Sequence, residues 1–200
     1  MKAAARAMWQ QATQMVRDAA GNQQMYAEWV GYLASHDVRI QVPAIWALQQ
    51  AGPTVIPSLI AGLSDAHVRI RRNCVDVIDH GGYGADARCV TGLLPLLRDP
   101  VAHIRKAVWH TLFCERCQAA RHCEVPLAIP LDQVQLLIEI GIHDPNLKLR
   151  QKCIDDLAGF STDVRAVHAL NQLCSGQGKR ECGAFTNSTD DPDSPSVALD

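Results

Sequence analysis

The sequence predicts an all-α protein built from repeated helix pairs, and three observations support this prediction. First, three segments align without gaps and a fourth fits them closely: DAHVRIRRNCVDVI from Asp65, DPVAHIRKAVWHTL from Asp99, DPNLKLRQKCIDDL from Asp144 and SHDVRIQVPAIWAL from Ser35. Second, apolar residues recur in each segment at helical spacing. Third, another apolar helical pattern precedes each of the three closest copies. Self-similarity at such a period is typical of repeat proteins.

The aligned segments predict the second helix of each pair. We align them on one marker position, which holds Gln41, Arg71, Arg105 and Arg150. The residues three, four and seven places later are all small or apolar: Ala44, Ile45 and Leu48; Cys74, Val75 and Ile78; Val108, Trp109 and Leu112; Cys153, Ile154 and Leu157. This spacing places the side chains on one face of a helix. The marker intervals are 30, 34 and 45 residues, so the last carries an insertion.

The preceding patterns predict the first helix of each pair. Their apolar residues are Val55, Ile56, Leu59, Ile60 and Leu63; Val90, Leu93, Leu94 and Leu97; and Val134, Leu137, Ile138 and Ile142. The turn between partners contains Asp99-Pro100 or Asp144-Pro145, which predicts an Asp N-cap followed by a proline at the first helical position. Asp65 is predicted to cap in the same way without a proline.

These elements give a predicted order along the chain. Repeats are expected over residues 23–51, 53–82, 86–116 and 130–159, between cap helices 3–19 and 163–174. Together they form one domain over residues 1–174. Residues 175–200 are rich in Gly, Ser, Pro and Asp, so we expect a disordered acidic tail.

The repeat pattern resembles the HEAT repeat of armadillo-type proteins. The segment PSLIAGLSDAHVRIRRNCV from Pro57 combines a proline in the first helix, an Asp in the turn and an Arg six residues later. The resemblance covers roughly residues 23–158 and implies an α–α superhelix, or solenoid, whose turn Asp and helix Arg link successive repeats. Ser35 and Gln41 depart from the pattern, which puts that link in doubt in the first copy. The segment VWHTLFCERCQ also resembles small bacterial HEAT-repeat proteins of unassigned function.

The stretch HTLFCERCQAARHC, residues 110–123, raises the question of a metal site. His110, Cys114 and Cys117 have the spacing of one helix face, and His122 and Cys123 follow in the inserted segment. Zinc accepts mixed thiolate and imidazole ligands, so these residues could form a structural zinc site. A second C-x2-C motif is missing, and two alternatives remain open: structural cysteines or a redox-active thiol pair.

The other cysteines and tryptophans are expected to pack in the core. Cys74 and Cys153 occupy the same predicted core position as Ala44 and Val108, and Cys89 and Cys174 are expected to behave alike. Trp46 and Trp109 are interpreted as packing residues. The sequence HGGYG from His80 is interpreted as a helix stop, because glycine accepts a left-handed conformation.

Composition limits the cellular setting and the class of partner. The net charge is −2, and without the four aspartates of the last fourteen residues it is +2. Neither value predicts that net positive charge drives binding to nucleic acid. No apolar run is long enough to cross a membrane. Eight cysteines without a secretory leader favour reduced thiols and therefore the cytoplasm.

The leading functional hypothesis is a non-enzymatic scaffold that binds another protein through the exposed face of its second helices. Candidate contact residues are Arg39, Arg69, Arg72, Lys106, Lys148 and Lys152, interspersed with acids such as Asp76 and Asp155. Charges of both signs suit a protein surface better than a phosphate backbone. Phosphate-loop, Gly-x-Ser-x-Gly and His-Glu-x-x-His motifs are absent, so no catalytic residue and no cofactor other than the possible zinc is expected.

Two alternatives stay open. Some DNA glycosylases for alkylated bases are built from HEAT-like repeats. The recurring cations could in the same way follow phosphates, and they are Arg69, Arg71, Arg72, Arg105, Lys106, Lys148, Arg150 and Lys152. The marker arginines weigh against this hypothesis, because they are expected to pair with turn aspartates. Phycobilin lyases also use HEAT-like repeats, and here the resemblance is at the level of fold alone.

Overall fold

The computed structural model describes residues 2–19, 21–113 and 131–176, and these residues contain helices but no strand. Its α-helices are α1 (Lys2–Ala19), α2 (Gln23–Tyr32), α3 (Val38–Gln50), α4 (Ile56–Leu63), α5 (Val68–His80), α6 (Ala87–Leu93), α7 (Ala102–Phe113), α8 (Gln133–Glu139), α9 (Leu147–Ala158) and α10 (Val164–Gly176). Short 3-10 helices extend several of them, including Leu94–Arg98 after α6 and Gly141–His143 after α8. The prediction of an all-α fold is therefore confirmed. None of the described helices is long and apolar enough to span a bilayer.

The chain divides into two compact units at Leu131 and Asp132. In the first unit, α2 with α3 and α4 with α5 form helix pairs one and two. In pair three, α7 packs mainly on Leu94–Arg98, the 3-10 helix that continues α6. First helices pack on first helices in the order α2, α4, α6, and second helices pack on second helices in the order α3, α5, α7. The N-terminal helix α1 packs against α3, where the rings of Trp9 and Trp46 meet edge to face at 5.5 Å.

The core of each described pair is the apolar stripe that the sequence predicts. Of the second-helix stripe residues, all are buried except Ile45 and Ile154, which are half-buried. Val55, Leu59 and Leu63 of the first helices are likewise buried. A single pair is too thin to bury this stripe by itself, and the packing of successive pairs encloses it.

The turn aspartates do not cap the second helices, so that prediction is wrong. His67 caps α5 and Asn146 caps α9, each through a side-chain acceptor. The turn aspartates lie two residues earlier, where the Oδ1 atoms of Asp65, Asp99 and Asp144 accept the backbone N–H two positions on, at 2.7, 2.8 and 2.8 Å. This geometry is an Asx turn. It places Pro100 and Pro145 inside the turn, before the helix begins.

The glycine interpretation at the end of α5 is confirmed. The helix ends at His80, and Gly82 adopts a left-handed conformation with φ of 76°. This turn points the chain into α6. The hydroxyl of the buried Tyr83 then donates to the carbonyl oxygen of Leu48 at 2.8 Å, which ties the turn to α3.

The second unit contains α8, α9 and α10, which pack on one another. Its core includes Val134, Leu137, Cys153 and Leu157. At one edge the Arg165 guanidinium bonds the carboxylates of Asp132 and Asp163, the residues just before α8 and α10. These bonds lower the pKa of Asp163 to about 2.

Candidate functional site

A largely buried ion pair joins the second and third helix pairs. Arg71 of α5 donates from Nε to Asp99 Oδ2 at 2.7 Å and from Nη2 to Asp99 Oδ1 at 3.2 Å. The side chains are only 12% and 4% exposed. The two-point contact with Asp99 raises the pKa of the Arg71 guanidinium. Because paired planar groups resist rotation, this contact fixes the position of α5 relative to the turn before α7.

Each marker arginine also bonds the backbone of its own turn. Arg71, Arg105 and Arg150 donate from Nη1 to the carbonyl oxygens of Asp65, Asp99 and Asp144 at 2.9, 2.7 and 2.8 Å. The expectation that marker arginines pair with turn aspartates is confirmed for Arg71. For Arg150 the bond goes to the carbonyl oxygen of the aspartate, not to its carboxylate.

The contact between pairs one and two has different chemistry, as the departures at Ser35 and Gln41 predict. The Gln41 amide donates to the carbonyl oxygen of Leu33 at 3.0 Å, within its own pair. Asn73 of α5 donates to the same oxygen at 2.8 Å, and Arg69 donates to the carbonyl oxygen of Ser35 at 2.8 Å. Hydrogen bonds to backbone oxygens therefore replace the ion pair at this position.

Three of the candidate contact residues are engaged by carboxylates close in sequence. Arg39 holds both oxygens of Asp37, Arg72 pairs with Asp76, and Lys152 pairs with Asp156. The Arg39 contact lowers the pKa of Asp37 to about 2. Arg39 nonetheless has a side chain that is 83% exposed, so a partner can still reach its guanidinium.

Lys106 and Lys148 are exposed, but they belong to different units. Lys106 of α7 makes no hydrogen bond or ion pair with the residues that the structure describes. The outer face of α5 and α7 carries Arg69, Arg72 and Lys106. Asp76 is the only carboxylate of these two helices that is not buried, so this face has a positive balance. Lys148 and Lys152 lie on α9 in the second unit.

A buried carboxylate lies beneath two histidines at the far end of the same face. Asp79 Oδ2 is 3.7 Å from His110 Nε2 and 3.9 Å from His80 Nδ1, and its side chain is 4% exposed. His80 Nδ1 also lies 2.9 Å from the carbonyl oxygen of Asp76, one turn earlier. His80 and His110 are exposed. Asp79 and His80 at the end of α5 thus lie next to His110 of α7.

The predicted zinc ligands Cys114, Cys117, His122 and Cys123 lie outside the described residues. His110 is the only member of that set within them. Over residues 2–19, 21–113 and 131–176, no three His, Cys, Asp or Glu side chains form a group that could hold a metal ion. The zinc hypothesis therefore stays a prediction.

Three cysteines have the packing role that the sequence predicts, and one does not. Cys74, Cys89 and Cys153 are buried, and burial raises the pKa of the Cys89 and Cys153 thiols to about 12. Burial also raises the pKa of the Cys74 thiol. The expectation for Cys174 is wrong, since it is exposed. Ala166 and Ala169 form the buried stripe of α10, and Cys174 lies off that stripe.

Sequence reasoning missed Asp79 and the polar contacts of pair one. Asp79 follows Val77 and Ile78, so an acid directly after two core residues was an available indication of a buried carboxylate. His36 and Asn73 had no such indication, because a single polar residue in a turn or helix does not reveal a partner 33 or 40 positions away.

Comparison with known proteins adds no identification. No protein-family model and no curated protein matches the chain.

Proposed function

We propose that the chain is a non-enzymatic scaffold of HEAT-like helix pairs that binds another protein through the outer face of its second helices. The observation that carries the proposal is the positive balance on α5 and α7, where Arg69, Arg72 and Lys106 outnumber the single unburied acid Asp76. Complementary charge increases the rate of encounter and selects the partner surface. The partner contact is therefore expected to be acidic.

The framework beneath this face supports the same proposal. Asp99 is buried, the Arg71 side chain is only 12% exposed, and their ion pair links α5 to the third pair. A binding surface works best when its side chains stand on rigid elements. The reduced, buried cysteines fit a chain that works in the cytoplasm, which we include in the proposal.

A charge-reversal experiment tests the face. The variant Arg72→Glu, Lys106→Glu changes the outer face, and Arg98→Glu serves as the matched control because Arg98 is exposed on the first-helix side of pair three. Each protein is immobilised and exposed to extract of the organism that encodes it. The proposal predicts a protein captured by the parent and by the control but lost with the double variant. Equal capture by all three contradicts it, and capture of DNA that weakens as salt increases favours the nucleic-acid alternative.

We further propose that zinc clamps the third pair through four ligands drawn from His110, Cys114, Cys117, His122 and Cys123. The supporting observation is the position of the buried Asp79 carboxylate, 3.7 Å from His110 Nε2. Carboxylates beside ligating histidines commonly orient the ring and increase its basicity. Elemental analysis of untagged protein is expected to find about one zinc per chain. The variant Cys114→Ser, Cys117→Ser is expected to have none, and metal-free parent protein contradicts the proposal.

A further inference from the structure

Each second helix of the first unit carries an outer stripe of three residues, none of which is buried. Residues four positions apart lie on the same face of a helix. The stripes are Val38, Val42 and Trp46 on α3; Val68, Arg72 and Asp76 on α5; and Ala102, Lys106 and His110 on α7. They occupy the same positions relative to the marker residue. Because α5 packs on α3 and α7 packs on α5, the shared register sets the three stripes side by side.

The stripe of α3 is apolar from end to end. Val38 is 58% exposed, and Val42 and Trp46 are half-buried. Trp9 of α1 extends this stripe, because its ring meets Trp46 edge to face and is 49% exposed. We call these four residues the apolar patch. Exposed apolar patches with polar residues at their rim mark interaction sites, and aromatic residues are enriched at the centre of protein interfaces.

The neighbouring stripes add positive charge at the level of Val42. Arg72 takes that position on α5, and Lys106 takes it on α7. Asp76, the single unburied carboxylate of these two helices, pairs with Arg72. Packed helices lie about 8–10 Å apart, so Lys106 lies about 16–20 Å from the stripe of α3. An extended chain covers that distance with about six residues.

We propose that the apolar patch and the cations of α5 and α7 form one docking surface for an acidic segment of another protein. Apolar side chains of that segment pack on the patch, and its carboxylates bind Arg72 and Lys106. The inference rests on the proposed function and adds the chemistry of the partner. Because the surface changes from apolar to positive between α3 and α7, complementary charge also fixes the direction in which the segment lies.

A protein segment fits this surface better than an anionic membrane does. The Arg72 side chain is only 33% exposed, and Asp76 lies against it. A flat layer of lipid headgroups would bring phosphates toward that acid and would not reach the inset guanidinium. A carboxylate on a flexible side chain reaches Arg72 from one side. The apolar side chains of the same segment remove the patch from water, which is the larger source of affinity.

The first experiment selects binders to the immobilised full chain from a random library of peptides of about twelve residues, long enough to cross all three stripes. The proposal predicts enriched peptides in which aromatic or aliphatic residues lie within about six residues of Asp or Glu. Peptides enriched in acids alone overturn this inference but leave the proposed function standing. A selection that enriches no acidic peptide contradicts both.

The second experiment measures the affinity of the most enriched peptide by fluorescence polarisation. The variant Val38→Gln, Val42→Gln is expected to bind it about tenfold more weakly than the parent, because two apolar contacts are lost. Val164→Gln is the matched control, since Asp163, Val164 and Arg165 repeat the sequence of residues 37–39 and Val164 is 80% exposed in the second unit. Equal affinities for all three proteins overturn the proposal.

Two other occupants of the patch give different results. If a second copy of the chain covers it, light scattering finds a parent mass that increases with concentration and a double variant that stays monomeric. If a membrane covers it, phosphatidylserine vesicles sediment the parent but not the double variant. Either result overturns the proposal, which predicts a monomeric parent that remains in solution beside the vesicles.

Discussion

Helix pairs two and three are joined by a buried ion pair, whereas pairs one and two are joined by bonds to backbone carbonyls and to a histidine. Arg71 and Asp99 form the first junction, and Asn73, Arg69, Leu33 and His36 form the second. The packing of second helix on second helix is the same in both. The repeat pattern therefore determines which helices meet, and individual turn residues determine the chemistry of each contact.

The ion pair between pairs two and three is expected to have the largest effect on stability. Asp99→Ala leaves the buried Arg71 guanidinium without its carboxylate, which costs about 3–5 kcal/mol when a buried charge loses its partner. Gln41→Ala, at the marker position of pair one, is the matched comparison and is expected to cost about 1 kcal/mol. Denaturant unfolding of both variants measures the difference. Equal losses of unfolding free energy for Asp99→Ala and Gln41→Ala would contradict the claim that the two junctions differ.

Two glycines compare the junctions on the first-helix side. A Cβ on Gly62 would lie 2.5 Å from Cys74 Sγ and 2.8 Å from Val30 Cγ1, so Gly62→Ala is expected to cost about 1–3 kcal/mol by overpacking pairs one and two. A Cβ on Gly92 would meet the end of the flexible Leu63 side chain at 3.2 Å. Because alanine also favours helix by about 1 kcal/mol, Gly92→Ala is expected to be neutral or stabilising. The free energy of unfolding of each variant measures these effects. A greater loss for Gly92→Ala than for Gly62→Ala would show that pairs two and three are packed more tightly than pairs one and two.

A single hydrogen bond between pairs one and two is expected to have a smaller effect. Asn73→Ala removes the donor to the Leu33 carbonyl oxygen, which still accepts from Gln41 at 3.0 Å. Because the oxygen keeps one donor, the loss is expected to be about 1 kcal/mol. Asn73→Asp replaces the donor with an acceptor facing an acceptor, so its loss must be greater. A similar loss for both variants would show that the bond contributes little.

The exposed pair at the start of α3 is expected to have the smallest effect. Arg39 lowers the pKa of Asp37 to about 2, so the contact stabilises the folded state at neutral pH and is lost as pH falls toward that value. Both groups lie at the surface, where solvent screens the attraction. NMR titration of the Asp37 carboxyl carbon tests this, since Arg39→Ala is expected to return its pKa toward the ordinary range. An unchanged titration assigns the shift to the backbone N–H instead.

Sequence patterning predicts the helices and their buried faces well, because apolar spacing reflects packing within one element. The stripe from Cys74 to Ile78 is buried as expected. The Arg71 to Asp99 contact follows from a resemblance in which both residues have a defined role. The prediction that Asp99 and Asp144 are N-caps was wrong. Each accepts the backbone N–H two residues on, and residue spacing alone does not distinguish this contact from a cap.

The candidate site was less predictable. Exposed cations such as Arg39 and Arg72 were identified by position, but their partners Asp37 and Asp76 are set by side-chain rotamers. The cluster of Asp79 with two histidines depends on the register of α5 against α7, which the sequence of either helix does not contain. Cys174 was misplaced because it lies off the buried stripe that Ala166 and Ala169 form on α10.

The most direct test is a double-mutant cycle across the contact that holds α5 against the third pair and so supports the proposed binding face. Arg71→Met, Asp99→Ala and the double variant are unfolded in denaturant beside the parent at neutral pH. We predict a coupling energy above about 1.5 kcal/mol, because the pair is buried and joined at two points. A coupling within about 0.5 kcal/mol of zero, as at an exposed ion pair, contradicts the account.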